Sequence, residues 1–208
     1  KNLANGGQSS QMQARSAVRR CCYQTMRPRN AAANVNPLPL QQIMHNAYIA
    51  LGSNLPGNSG SPASQVLRAF QAIGKLPKTG LTKQSSLYQS PPVGYDNQPD
   101  FINAVAQIHT DLSASALLDA LLDIEQEFGR ERPFPNAPRV LDLDLLLYDD
   151  LTIQSQKLTL PHPRMCERSF VLLPLAEITP DLHIPKHGSI VELLKKLDVS
   201  GTKLYEHI

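Results

Sequence analysis

At 208 residues and 22.9 kDa the chain suits one domain of ordinary size with a segment to spare. Hydrophobic residues at 41% can fill a core, and charged residues at 18% are too few for a wholly disordered chain. No apolar run approaches the roughly 18 to 20 residues of a membrane span, and a net charge of +2 gives no argument for a nucleic-acid partner.

Cys21 and Cys22 are adjacent and Cys166 is far away, so there is neither metal-ligand spacing nor a disulfide framework. A reducing compartment, the cytoplasm, fits that usage. The charge is unevenly spread. Residues 1–43 hold Lys1, Arg15, Arg19, Arg20, Arg27 and Arg29 with no Asp or Glu, which leaves the remainder net acidic. Rich in Asn, Gln, Ala and Ser and without a sustained apolar period, this segment reads as a disordered basic extension. It is either a transit peptide, which would place the protein in mitochondria, or a stretch upstream of a natural start at Met44.

Residues 44–208 read as the globular domain. Asn46–Gly52 is a short apolar run ending in turn residues, a buried strand. Ser61-Pro62 predicts an N-cap and first helical residue, followed by Val66, Leu67, Phe70 and Ile73 at helical spacing before Pro77. Leu81–Ser90 predicts a strand stopped by Pro91-Pro92, and Phe101–His109 another. Ser113 caps a helix carrying Leu117, Leu118, Leu121, Leu122, Ile124 and Phe128, ended by Gly129. Arg139–Tyr148 is a third long strand pattern. The order β-α-β-β-α-β is the α+β ferredoxin-like arrangement, an antiparallel sheet with two helices on one face. A strand pair within Thr152–Leu160 and short helices around Met165–Leu173 and Ser189–Leu197 form a C-terminal helical extension.

The most informative stretch is Arg139-Val-Leu-Asp-Leu-Asp-Leu-Leu-Leu-Tyr148. Alternate strand residues share a face, so Leu141, Leu143, Leu145 and Leu147 pack under the helices while Asp142 and Asp144 project together from the other side. Their Cα atoms lie about 6.6 Å apart. Two carboxylates at that separation repel by about 2.5 kcal/mol in an effective dielectric of about 20. A cation should relieve them. Hard oxygen ligands without His or Cys suit Mg²⁺, which takes one or two carboxylates plus substrate phosphates. A solvated strand face is the plainer alternative. The preceding loop supplies Arg130, Arg132 and Arg139, guanidinium groups that can grip a polyphosphate. Glu125 falls on the apolar stripe of the second helix, where it either braces an arginine or reaches solvent.

Gly52-Ser-Asn-Leu-Pro-Gly-Asn58-Ser59 imitates the glycine spacing of a P-loop. Asn58 stands where the lysine belongs, though, and Pro56 removes an amide from the cradle, so a P-loop is rejected. Phe101 and Asn103 share a strand face. A ring beside an amide suits a planar, hydrogen-bonding heterocycle, although on these residues alone an edge aromatic beside a turn-proximal Asn is the preferred reading.

Taken together, Tyr48-Ile-Ala-Leu-Gly-Ser-Asn54, Ser90-Pro-Pro-Val-Gly94, Asn97-Gln-Pro-Asp-Phe-Ile-Asn103, Glu125…Gly129-Arg130…Pro138-Arg139…Leu141-Asp-Leu-Asp144, Leu160-Pro-His162 and Arg168…Phe170 occur in one order. That series resembles the 6-hydroxymethyl-7,8-dihydropterin pyrophosphokinase family of folate biosynthesis, from about Ala47 to Leu197. The resemblance implies transfer of pyrophosphate from ATP to the pterin hydroxymethyl group, releasing AMP, with two Mg²⁺ ions on Asp142 and Asp144. It implies that Arg130 and Arg139 act in catalysis with these acids. It further implies that Arg130, Arg132, Arg139, Leu145, Lys157, Thr159, His162 and Arg168 bind ATP. Ser90, Pro91, Val93, Phe101, Asn103 and Phe170 would hold the pterin, with Glu125 in a supporting role. Small-molecule substrates, a monomer, and neither a nucleic-acid nor a membrane partner complete the expectation. The chain departs from the family's best-known members in an arginine loop one residue shorter and without tryptophan, where Phe134 is the nearest substitute. Pro163 stands after His162, where an aromatic is common. An RNA-binding reading of the same fold lacks aromatic strand motifs, and a nuclease reading lacks further carboxylates.

Overall fold

The computed structural model describes residues 44–57, 60–94, 97–130 and 137–206. The expected basic extension, 1–43, lies outside the described residues, as do Arg132 and Phe134.

In chain order the elements are β1 (His45–Ser53), α1 (Pro62–Ile73), β2 (Thr79–Gln84), β3 (Tyr88–Ser90), β4 (Phe101–Thr110), α2 (Ala114–Glu127) and β5 (Asp142–Tyr148). There follow β6 (Ile153–Gln154), β7 (Thr159–Leu160), a 3₁₀ turn (Met165–Glu167), α3 (Ser169–Ile178), β8 (His183–Ile184), β9 (Gly188–Ser189), α4 (Ile190–Leu194) and β10 (Lys203–Leu204). The main sheet runs β10-β3-β4-β1-β5, with β2 also beside β4, and its recorded pairings are antiparallel. This is the predicted ferredoxin-like core with one strand added at its edge.

The helices form where the sequence places them. Ser61 Oγ accepts the Ser64 N–H and Ser113 Oγ accepts the Ala116 N–H, and Pro62 opens α1, where its missing N–H costs nothing. Beyond α2, Gly129 adopts φ +85°, the left-handed conformation that ends a helix without a Cβ penalty. Val66, Ala69, Phe70 and Ile73 of α1 join Leu117, Leu121 and Ile124 of α2 against Ile49, Leu51, Ile102, Ala104, Ala106, Ile108, Leu143 and Leu145. Leu67, expected on that face, is instead exposed.

Three expectations need correction. The strand predicted over Leu81–Ser90 is two strands. Ser85 donates its N–H to the Val105 carbonyl while its hydroxyl accepts the Val105 N–H, and an extra residue enters before Tyr88 pairs with Asn103. Regular pairing in β5 begins at Asp142 rather than Arg139. The Arg139 main chain is already engaged: its N–H goes to Asn54 Oδ1 and its carbonyl accepts from Asn54 and Leu55. Leu147 does not share the face of Leu143 and Leu145. Ile49 opposes Leu145 but Tyr48 opposes Leu147, so Leu146 is an inserted residue, and beyond it the strand changes parity.

Leu146 and Leu147 therefore join a second core with Tyr48 and Val105, covered by Val171, Leu172, Leu175 and Ile178 of α3, by Ile184 and by Ile190 of α4. Both faces of the sheet are thus packed, where the sequence reading places helices on one. The predicted β6–β7 pair and α4 are present, the helix expected around Met165–Leu173 is a 3₁₀ turn leading into the longer α3, and the β8–β9 hairpin and β10 are additional.

Candidate active site

Only part of the second sheet face is covered. At the end of β5 that carries Asp142 and Asp144, β1 presents small residues: Gly52 opposes Asp142 and Ala50 opposes Asp144. On the other side of β1, Gly52 opposes Asn103 and Ala50 opposes Val105. Side chains at directly opposed positions share a face, so β1 forms a low floor between two acids on β5 and an amide and a ring on β4. A Cβ built on Gly52 would sit 3.4 Å from Asn103 Oδ1 and 3.9 Å from the Phe101 ring. The walls of the cleft above that floor are Ser90, Pro91, Val93 and Gln98 on one side, Arg139 and the acids on another, and Arg164, Arg168 and Phe170 from the start of the C-terminal layer.

Asp142 and Asp144 point into the same cleft, with side chains 18% and 34% exposed. The Arg139 guanidinium donates to Asp142 Oδ2 at 2.7 Å and lies 5.8 Å from the centroid of the Phe101 ring, within cation–π range. Arg168 approaches Asp144 at 3.7 Å and stands 5.6 Å over the Phe170 ring. Buried Asn103 donates its amide to the Ser90 hydroxyl at 3.0 Å, which fixes its orientation at the cleft floor. A second cleft shares Ser90, Pro91, Val93, Arg164, Arg168 and Phe170 with this one and opens toward Asp198 and Thr202.

His162 reaches the acids from beside the inserted residue: its N–H donates to the Leu146 carbonyl, and its Nε2 is 3.9 Å from Asp144 Oδ2. Its Nδ1 accepts the Arg164 N–H, so in the neutral ring the proton sits on Nε2, facing Asp144. Burial pushes the imidazole below its ordinary range, and Arg168 and Arg164 reinforce that against the opposing pull of Asp144 and Asp142.

Glu125 is a buried acid that holds the strand from behind. Its Oε1 accepts the Leu143 N–H at 2.7 Å, between the two aspartates in sequence, while Oε2 pairs with Arg130 at 2.7 Å. A brace from Glu125 to an arginine is therefore present, but Arg130 itself is not among the residues lining the cleft. Lys157 is paired with Asp119 of α2, and it and half-buried Thr159 also lie outside the lining set. Leu145 is buried in the α1–α2 core, so its side chain cannot reach a ligand in the cleft. The structure brings together Ser90, Pro91, Val93, Phe101, Asn103, Arg139, Asp142, Asp144, Arg168 and Phe170, with His162 at their border. The cleft also uses Ala50, Gly52, Gln98 and Arg164, which sequence reading did not single out. For Gly52 a signal existed, since a glycine inside a buried strand marks close approach of another group.

The donor set fits magnesium. It offers two half-buried carboxylates without thiolate, and among the described residues no group of three or more His, Cys, Asp or Glu side chains forms an all-protein metal cage. Mg²⁺ is held in just this way when phosphates complete its shell. Among the described residues no helix is long and apolar enough to cross a membrane.

Known proteins resemble the chain in sequence and in fold. The profile of the family described as 7,8-dihydro-6-hydroxymethylpterin-pyrophosphokinase (HPPK) matches residues 48–180. The chain is 48% identical over 153 residues to 2-amino-4-hydroxy-6-hydroxymethyldihydropteridine pyrophosphokinase of Haemophilus influenzae, covering 74% of this chain and 93% of that one. To the protein of the same name from Pseudomonas aeruginosa it is 42% identical over 159 residues, covering 76% and 96% respectively. Among solved structures, a triple mutant of Plasmodium falciparum HPPK-DHPS superposes with a TM-score of 0.61 at 15% identity, a likeness of fold that spans 80% of this chain and 48% of the Plasmodium chain. The chain belongs to the 7,8-dihydro-6-hydroxymethylpterin-pyrophosphokinase family.

Proposed function

We propose that the chain is an ATP-dependent pyrophosphokinase of folate biosynthesis, transferring the pyrophosphate of ATP to 6-hydroxymethyl-7,8-dihydropterin and releasing AMP. Residues 44–208 carry the activity, acting as a monomer in the cytoplasm. The observation that carries this reading is the floor of Gly52 and Ala50 lying between Asp142 and Asp144 on one strand and Phe101 and Asn103 on another. A phosphate-binding edge and a heterocycle-binding edge thus face one cleft.

In the reaction the pterin hydroxymethyl oxygen forms a bond to the β-phosphorus as the bond from that phosphorus to the α-phosphate oxygen breaks, and the hydroxyl proton is released. Phe101 and Phe170 hold the pterin by its faces, and Asn103 with Ser90 reads its polar edge. Asp142 and Asp144 would hold two Mg²⁺ ions. When bound, these supply positive charge to the triphosphate and the in-line transfer. Arg139 and Arg168 bring fixed guanidinium groups to the phosphate chain. The Nε2–H of neutral His162 donates to a phosphate oxygen from the Asp144 side. Arg164, exposed on the wall shared by the two clefts, adds a further cation. Glu125 and Arg130 keep the acid-bearing strand in place.

The test is direct. Incubation of the protein with ATP, Mg²⁺ and the reduced pterin alcohol yields AMP and the pterin diphosphate in equal amounts. Release of ADP instead, or no consumption of the pterin, refutes the assignment.

A further inference from the structure

We infer that Asn54 is a positioning residue for both halves of the cleft: its buried amide ties the main chain of Arg139 to the segment at Gln98 and Pro99. Asn54 follows β1 and is 1% exposed. Its Oδ1 accepts the Arg139 N–H at 2.8 Å. Its Nδ2 donates to Gln98 Oε1 at 2.9 Å and to the Pro99 carbonyl at 3.1 Å. The main-chain N–H of Asn54 adds a bond to the Arg139 carbonyl at 3.1 Å. The carbonyl and both amide hydrogens of the side chain are therefore in use, and only an amide offers one acceptor and two donors from a single planar group.

What those partners do gives the contact its meaning. On one side Arg139 pairs with Asp142 and lies over Phe101. On the other, Gln98 lines the cleft and Pro99 leads within two residues into Phe101 at the start of β4. The Asn54 amide holds the main chain of Arg139 in register with the segment that enters the ring-bearing strand. Asn54 touches neither ligand. Its effect is on where Arg139 and Gln98 stand, and buried side-chain amides of this kind are costly to leave half-satisfied.

The inference rests on the pyrophosphoryl-transfer reading, which the unsubstituted enzyme tests by itself. Three variants test the inference, each measured for turnover, melting temperature, and calorimetric binding of the pterin alcohol and of a non-hydrolysable ATP analogue with Mg²⁺. Asn54→Ala lowers kcat on the order of 10²-fold, the scale of a small misplacement of reacting groups. Gln65→Ala is the control. Gln65 is equally buried and donates to the Gly60 carbonyl, but does not line the cleft, so its loss lowers the melting temperature while kcat stays near the unsubstituted value. Asn54→Asp keeps the acceptor for Arg139 and loses both donors, to Gln98 and to Pro99; it weakens the pterin alcohol by about tenfold or more and leaves the ATP analogue unaffected, since each such bond is worth roughly 1 kcal/mol. Asn54→Ala retaining full kcat, or Gln65→Ala losing kcat in the same proportion to stability, overturns the inference. So does equal weakening of both ligands by Asn54→Asp, the variant that decides the matter alone if Asn54→Ala fails to fold.

Discussion

Asp144 is the side chain on which chemistry and folding separate most cleanly. It is a third exposed, and Arg168 and His162 approach it at 3.7 and 3.9 Å. Asn at this position keeps the shape but surrenders the charge. Asp144→Asn is therefore expected to lower turnover by about 10³-fold or more, the worth of several kcal/mol of charge stabilisation. Its unfolding free energy should shift by less than about 1 kcal/mol, and denaturant titration beside a steady-state assay checks both. Phe101→Ala should weaken the pterin alcohol more than ATP in calorimetric titrations, because the ring stands at the Asn103 edge; equal losses would count against the stacking role. Both residues were legible in the sequence because a strand's two-residue period says which side chains share a face. Arg164 and Gln98 were not. Their place on the cleft depends on how the C-terminal layer and the 97–100 segment fold back over β4, and no local pattern encodes that.

Gly52 and Ala50 matter to β1 as an absence of bulk at the centre of the sheet. Valine is a good strand former, so Gly52→Val should leave β1 paired while its methyl groups enter the space beside Asn103 and Phe101. Pterin affinity should fall by about tenfold or more, with a melting temperature close to that of the unsubstituted protein. At the far edge, α3 is pinned to β3 by Glu177, which accepts from the Ser86 N–H and hydroxyl and from the Tyr88 hydroxyl at 3.0 Å. Burial, then the hydrogen bond and charge of Glu177, push the Tyr88 phenol up to about 12 from its usual 10.0. A folded-state value raised above the unfolded one means the bond's contribution is fully present below about pH 10 and is lost as the pH rises through about 12. Tyrosinate absorbance should show a phenol titrating near 12 that disappears in Tyr88→Phe, while Tyr148, also raised by burial, stays; an unchanged titration would contradict the contact. Element existence was readable here from caps and periodicity, but the break at Ser85 and the insertion at Leu146 were not, because a bulge depends on the partner strand.

At the scale of the folded domain, the sheet carries a core on each face and one gap, on the second face beside its core. The α1–α2 layer follows from amphipathic helices in the predicted order, and that half of the architecture could be read directly. The opposite layer rests on α3, so uniformly apolar that its sequence marks burial without marking against what. Beyond the first turn of α3, at Phe170 and Val171, the sheet surface is left to Gly52, Asn103, Asp142 and Asp144. The cleft is thus defined as much by the extent of the second layer as by its own residues, and β10, paired to β3 beside Ser90, closes that edge of the sheet.

The single surplus residue in β5 has a consequence for anyone who would transplant or redesign this strand. Excise Leu146, and every side chain after it trades sides, while the amide of His162 loses the carbonyl on which it hangs. A scaffold idealised to flawless alternation would keep both aspartates and still misdeliver the imidazole meant to meet them. The irregularity has to be copied along with the acids.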